Sequence, residues 1–129
     1  MSQEPYDSSW DRDDDAFDRK YEQWQRREWV AWLRANLTFP FRAERVEHMY
    51  LDPAAPEELL AADPFPVGCR VQILGIAEGD FDPYFDGVFV DVQGKKGKGC
   101  VPLQDFEVRP KSDANYWPVR EFVVWYANR

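Results

Sequence analysis

Carboxylates carry most of the chemistry this chain offers. Glu78, Asp80, Asp82 and Asp86 fall within the ten residues EGDFDPYFDG (78–87), between two apolar runs. Ca2+ takes six to eight oxygen ligands, mostly carboxylates and carbonyls, from a backbone that can wrap around it. Asp80 and Asp82 stand at i and i+2, so both point to one side of an extended segment. Asp86 follows a bend at Pro83, and Gly79 and Gly87 permit turns. The spacing is not that of an EF-hand. A loop starting at Asp80 would need an acceptor at 84, Gly at 85 and Glu at 91, where the chain has Tyr84, Phe85 and Asp91. The same residues also read as an acidic hairpin loop, because Asp and Gly are common in such loops.

A second group of acids lies near the N-terminus. Asp11, Asp13, Asp15 and Glu22 match EF-hand positions 1, 3, 5 and 12, but Ala16 stands where the turn glycine belongs and Asp18 where an apolar residue belongs. An acidic helix start explains this run better, since carboxylates interact favourably with the helix N-terminus. Asp11, Asp15 and Asp18 remain as one wall of a looser cation site.

Other chemistries lack a constellation. His48 is the single histidine, and nothing near it in sequence supplies a nucleophile. GKKGKG (94–99) fits neither a dinucleotide fingerprint nor a P-loop, so it reads as a solvated basic turn. Cys69 and Cys100, the two cysteines, make no metal-ligand spacing and read as buried thiols in strands. The expected protein is not an enzyme.

The net charge of −8 over 129 residues disfavours nucleic acid and anionic membrane surfaces and favours cations and basic partners. No protein partner is identifiable. The chain shows no signal peptide and no run long enough to span a membrane, and a cytoplasmic location is expected.

The elements that must position these groups follow from periodicity. Residues 1–15 are polar and read as a flexible acidic N-terminus. Residues 16–129 form a single α+β domain. Phe17, Tyr21, Trp24, Trp29, Trp32, Leu33 and Leu37 form an apolar stripe that predicts a helix over 16–37. Pro40 ends it, and Phe39 and Phe41 place both rings on one side of an extended chain. FRAERVEHMY (41–50) reads as a strand, and PEELLAAD (56–63) holds a helical turn. VGCRVQILGI (67–76), GVFVDVQG (87–94) and CVPLQDFEV (100–108) read as strands, with Val67, Cys69, Val71 and Ile73 on one side and a kink at Pro102. Such strands, joined by Gly-rich turns, predict a small barrel over about 41–108. A C-terminal helix follows over about 116–127, its Phe122, Trp125 and Tyr126 facing the sheet or the first helix.

The order of WLRANLTFPFRAERV, PFPVGCRVQILGI, the acidic loop, GVFVDVQGKKGKGCVPLQDFEV and a tail ending EFVVWYANR resembles the small bacterial calcium-binding proteins related to cyanobacterial CcbP. The resemblance covers most of residues 17–127. It implies an SH3-like β-barrel packed with an N-terminal helix and a short C-terminal helix. It also implies Ca2+ held by clustered surface acids without EF-hands, buffering or sensing free calcium. The family's acidic loop falls on Glu78, Asp80, Asp82 and Asp86. Family members can also carry acids before the FPF segment, where this chain has Arg34, Ala35 and Asn36. The competing expectation is an SH3-like protein-interaction module with no metal dependence, using Trp10, Tyr84, Phe85 and Trp117 as exposed aromatics.

Overall fold

Asp13 starts the helical part of the chain. Its Oδ1 accepts the backbone N–H groups of Asp15 (2.9 Å) and Ala16 (3.3 Å), capping a helix α1 over Asp14–Gln25. The computed structural model describes residues 6–48, 54, 56–78 and 87–129.

The single helix expected over 16–37 is two helices, α1 and α2 (Trp29–Asn36). Geometry gives the reason. Residues five apart on one straight helix point about 140° away from each other. Trp24 and Trp29 are nonetheless both buried, 0% and 7% exposed, with ring centroids 6.5 Å apart. Breaking the helix at 26–28 turns both indoles into one core. Arg27 in the break stacks its guanidinium over Trp32, 3.9 Å from the ring centroid.

The segment before α1 differs from the expected flexible N-terminus. Residues 9–11 form a 3-10 turn that buries Trp10. Its indole packs edge-on against Trp24 (5.2 Å) and Trp117 (5.8 Å), and Tyr6 stacks on Trp117 (5.0 Å). Two of the expected exposed aromatics, Trp10 and Trp117, are thus engaged internally; Tyr84 and Phe85 lie outside the described residues.

After α2, Asn115 holds the chain with a pair of bonds. Its Oδ1 accepts the Thr38 N–H (2.7 Å) and its Nδ2 donates to the Thr38 carbonyl (3.2 Å). Phe39 and Phe41 lie 5.5 Å apart, as the FPF pattern predicts. Strand β1 (Phe41–Arg45) then enters an antiparallel sheet with β2 (Arg70–Ile76), β3 (Phe89–Gly94), β4 (Gly97–Pro102) and β5 (Phe106–Val108). The strand order is β4-β3-β2-β1-β5, with Phe41 opposite Ile73, Gln72 opposite Gln93 and Ala43 opposite Val108. β4 and β5 are the two edges, so the sheet is open and not the closed barrel expected. Pro102 ends β4, and a 3-10 turn over Leu103–Asp105 leads to β5, splitting one expected strand into two.

β2 begins only at Arg70. Val67 is exposed and Cys69 half-buried, whereas Val71 and Ile73 face the core. Both cysteines are free, and Cys100 is exposed rather than buried. Partial burial pushes both thiols up from the usual cysteine value. The short helix α3 spans Glu57–Ala62, and α4 spans Tyr116–Asn128. In α4, Val119 and Phe122 are buried, and Trp29 contacts both Phe122 (5.5 Å) and Trp125 (5.2 Å).

Two buried ionic groups tie these layers together. Glu121 of α4 is 1% exposed. Its Oε1 accepts from the Trp24 indole (2.8 Å) and Arg27 Nη1 (3.0 Å), with Lys20 Nζ at 3.3 Å, and its Oε2 accepts from the Tyr6 hydroxyl (2.8 Å). Arg45 of β1 is equally buried. It donates to Asp105 Oδ2 (2.8 Å) and to the Phe65 carbonyl (2.8 Å), which pins the long connection between β1 and β2 to the sheet.

Candidate functional site

The acidic segment leaves the sheet at the end of β2 and returns before β3. The strands on either side are firmly held. The Ala77 N–H donates to the Phe89 carbonyl (2.9 Å), and the Leu103 N–H donates to the Val88 carbonyl (2.8 Å). Ile76 pairs with Val90 in the ladder. Two positions in the ladder thus deliver residues 78 and 87 side by side, on the side of the sheet that meets α2.

Glu78 is the member of the acidic group whose placement is described. Its side chain is 86% exposed, and Oε1 lies 3.5 Å from Arg34 Nη2 of α2. The mouth of the segment is an open depression of about 390 Å3, lined by Val30, Arg34, Glu78, Gly87 and Phe89 among others. Asp80, Asp82 and Asp86 lie outside the described residues. Exposure of Glu78 leaves its oxygens available to a ligand, and a lone surface ion pair of this kind contributes at most ~1 kcal/mol. A doubly charged cation can therefore displace Arg34 at small cost.

Arg34 was not recognisable as a neighbour of this segment. The two residues stand 44 positions apart, and the sequence carried no local signal that the last turn of α2 would reach the start of the loop. Its pairing with Glu78 gives this arginine, three residues before Leu37, a partner across the fold.

The N-terminal acids sit elsewhere. Asp11 belongs to the 3-10 turn, and Asp15 and Asp18 lie on α1; all three are exposed. Among the described residues no group of three or more His, Cys, Asp or Glu side chains is gathered closely enough to hold a metal ion. Asp7, next to this run, is held below the usual carboxylate range by the Ser9 N–H that its Oδ1 accepts (3.0 Å).

His48 is occupied structurally. Its Nε2 lies 2.8 Å from Asp63 Oδ2, and the same carboxylate oxygen is 3.6 Å from Arg45 Nη1. Among the described residues no helix is long and apolar enough to cross a membrane.

An α+β protein with an open antiparallel sheet and an acid-rich connection between adjacent strands is the class these features define. The chain belongs to the CcbP family, described as calcium binding, whose model matches residues 15–126. It is similar to the crystal structure of Anabaena CcbP, with 16% identity, a TM-score of 0.54, and coverage of 98% of this chain and 96% of that one. It is also similar to a calcium-binding protein solved in its calcium-binding form, with 18% identity, a TM-score of 0.57, and coverage of 95% and 97%. At these identities the two structures establish the shared fold. No curated protein sequence matches the chain.

Proposed function

We propose that this protein binds Ca2+ through Glu78, Asp80, Asp82 and Asp86, without an EF-hand, and buffers or senses free calcium. The observation that carries this reading is the family match, which spans residues 15–126 and so includes the acidic segment. The donor set fits the ion. Carboxylates and loop carbonyls are hard oxygen ligands, and no soft or nitrogen ligand stands among residues 78–87. Bringing four carboxylates together costs charge repulsion that the cation removes, so binding stabilises the fold by mass action, by ~2.7 kcal/mol at a hundredfold excess over Kd. Asp11, Asp15 and Asp18 are the alternative location.

The reading extends to a non-catalytic, cytoplasmic protein. The engagement of His48 with Asp63 supports a structural role for that residue.

Calorimetric titration with Ca2+, paired with thermal melts, tests the site. The Asp80→Asn/Asp82→Asn variant is expected to lose both the heat and the melting shift. Arg34→Gln is expected to tighten binding about threefold, because it removes a cation beside the site. Unchanged binding in the loop variant, with loss in Asp11→Asn/Asp15→Asn/Asp18→Asn, moves the site to the N-terminus. No heat and no shift at millimolar Ca2+ refutes calcium binding altogether.

A second reading is an SH3-like protein-interaction module independent of calcium. The observation behind this reading is the five-stranded antiparallel sheet with a 3-10 turn before β5, but its edges β4 and β5 do not close into the barrel that reading expects. The internal packing of Trp10 and Trp117 argues against their use as a peptide platform.

A further inference from the structure

The face of the sheet turned away from the core carries a cationic groove that calcium binding does not use. Strand alternation builds it. Ala43, Val71 and Val92 are buried, so Arg42, Arg70, Gln72 and Gln93 face outward. Together with Lys95 and Arg109 these residues line an open groove of about 620 Å3. A second depression of about 430 Å3 shares Arg70, Val71, Gly94 and Lys95 with it and ends at Pro64, Phe65 and Pro66. The two depressions meet at Arg70 and Lys95; the larger is basic, and the smaller is bordered by the exposed Pro64 and Pro66 over a buried Phe65.

The charge balance of these depressions opposes that of the whole molecule. Arg42, Arg70, Lys95 and Arg109 line the larger part and Lys96 the smaller, on a chain whose net charge is −8. Two acids answer them. Glu44 lies 3.8 Å from Arg70, and Glu107 lies 2.6 Å from Arg109 and 3.8 Å from Lys111. Among the described residues Arg42, Lys95 and Lys96 have no ion-pair partner. Arg42 and Lys95 thus line the larger groove, and Lys96 the adjoining one, without neutralisation, and an anionic group lying over them would relieve their unbalanced charge.

We propose that this groove docks an extended acidic segment of a partner protein, with carboxylates over Arg42, Arg70 and Lys95 and an apolar side chain against the exposed Pro64 and Pro66. Guanidinium groups bind carboxylates through paired N–H donors, which gives the groove directional sites as well as charge. Gln72 and Gln93 stand opposite each other on β2 and β3 and offer amide donors and acceptors to a peptide backbone between the charged positions. A nucleic acid fits less well. Its phosphates continue past the groove onto a surface of net negative charge, where a short peptide does not reach. The apolar end at Pro64 and Pro66 likewise has no use for a free phosphate.

The groove lies at the β3–β4 turn end of the sheet, whereas Glu78 leaves the opposite end of β2. The proposal is therefore independent of the calcium site.

Fluorescence anisotropy of a labelled synthetic decapeptide of Glu and Asp with one central Phe, titrated with the full chain, tests it. Saturable binding that weakens with salt is expected, equal in chelator and in millimolar Ca2+. Arg42→Gln and Lys95→Gln should each weaken binding about fivefold, the effect of ~1 kcal/mol per charge. Arg19→Gln, an exposed change on α1, should leave it unaltered. All three variants should melt like the parent chain, since the altered side chains are exposed. Amide NMR shifts should centre on Arg42, Gln72, Gln93 and Lys95. The proposal is overturned if millimolar peptide does not bind, or if the Arg42→Gln/Lys95→Gln chain binds normally. It is equally overturned if pyrophosphate or a twelve-nucleotide single strand occupies the groove more tightly than the peptide.

Discussion

Glu121→Gln isolates the buried group on which the N-terminal third of the fold depends. The carboxylate side chain is 2% exposed and pairs with Arg27, itself 14% exposed, and Lys20, 25% exposed. Gln keeps the size and one acceptor but removes the charge. Breaking a buried ion pair by neutralising one partner costs ~3–5 kcal/mol when the other stays buried. Lys20 and Arg27 both retain some access to water, so the lower end applies, about 3 kcal/mol. The amide also presents N–H groups toward either Trp24 or Tyr6, both of which donate to Glu121 in the native fold. For a domain of this size the loss corresponds to a fall in Tm of roughly 12 °C. Urea unfolding followed by tryptophan fluorescence measures it. Hydrogen exchange at the Trp24 indole reports whether the loss is local to the segment around Glu121. A loss below about 1 kcal/mol, typical of a surface pair, would refute the reasoning and mean that the stacked rings alone hold residues 6–27.

Three other changes probe separate parts of the frame. Burial and the adjacent Glu121 carboxylate push the Tyr6 phenol well above its usual value of 10.0. The unfolded chain then loses this proton first as pH rises, so stability from Tyr6 is present below about pH 10 and falls above it; Tyr6→Phe should flatten the alkaline limb of a stability–pH curve. Asp105→Asn strips Arg45 of its 2.8 Å partner while Arg45 stays 2% exposed, with an expected loss of ~3–5 kcal/mol in urea unfolding. Gly99→Ala brings a methyl group to 2.5 Å from Phe65 Cε2 and 2.9 Å from Cζ. Because that ring is buried, a loss of ~1–3 kcal/mol is expected from thermal melts.

Much of the frame was legible because local signals and tertiary packing agreed. Asp13 at a helix start, Pro40 after a helix, and Pro102 inside a strand region each act through backbone geometry that needs no distant partner. The strands from 70 to 108 followed from alternation because one face is buried. The helix break at 26–28 was not legible. Every residue there suits a helix, and only the need to bury Trp24 and Trp29 on one side decides against it. The burial of Trp10 was hidden for a similar reason. Its partners, Trp24 and Trp117, are far away in sequence, and the acidic composition around it suggested solvent. The site divides in the same way. Glu78 and its neighbours were visible as a dense acidic stretch, but Arg34 was not, since α2 and β2 meet only in the folded chain.

That division bears on how a cation would act on this fold. The strands bounding the acidic segment are held by the Ala77–Phe89 and Leu103–Val88 backbone bonds, and the core beneath them includes Val88 and Val90. The Glu121 and Arg45 groups, which fix the remaining layers, bond Tyr6, Lys20, Trp24 and Arg27, and Phe65 and Asp105, all outside residues 78–87. Calcium held by Glu78, Asp80, Asp82 and Asp86 would therefore relieve repulsion within the segment without repacking the sheet. The one described contact it must alter is Arg34–Glu78, which links the segment to the last turn of α2. Release of Arg34 is thus the route by which ion binding reaches the helical layer. Amide signals of residues 30–37 should respond to Ca2+, while those of β5 and α4 stay in place. Shifts spread evenly over α4 would instead place the ion near the N-terminal acids, whose helix packs against it.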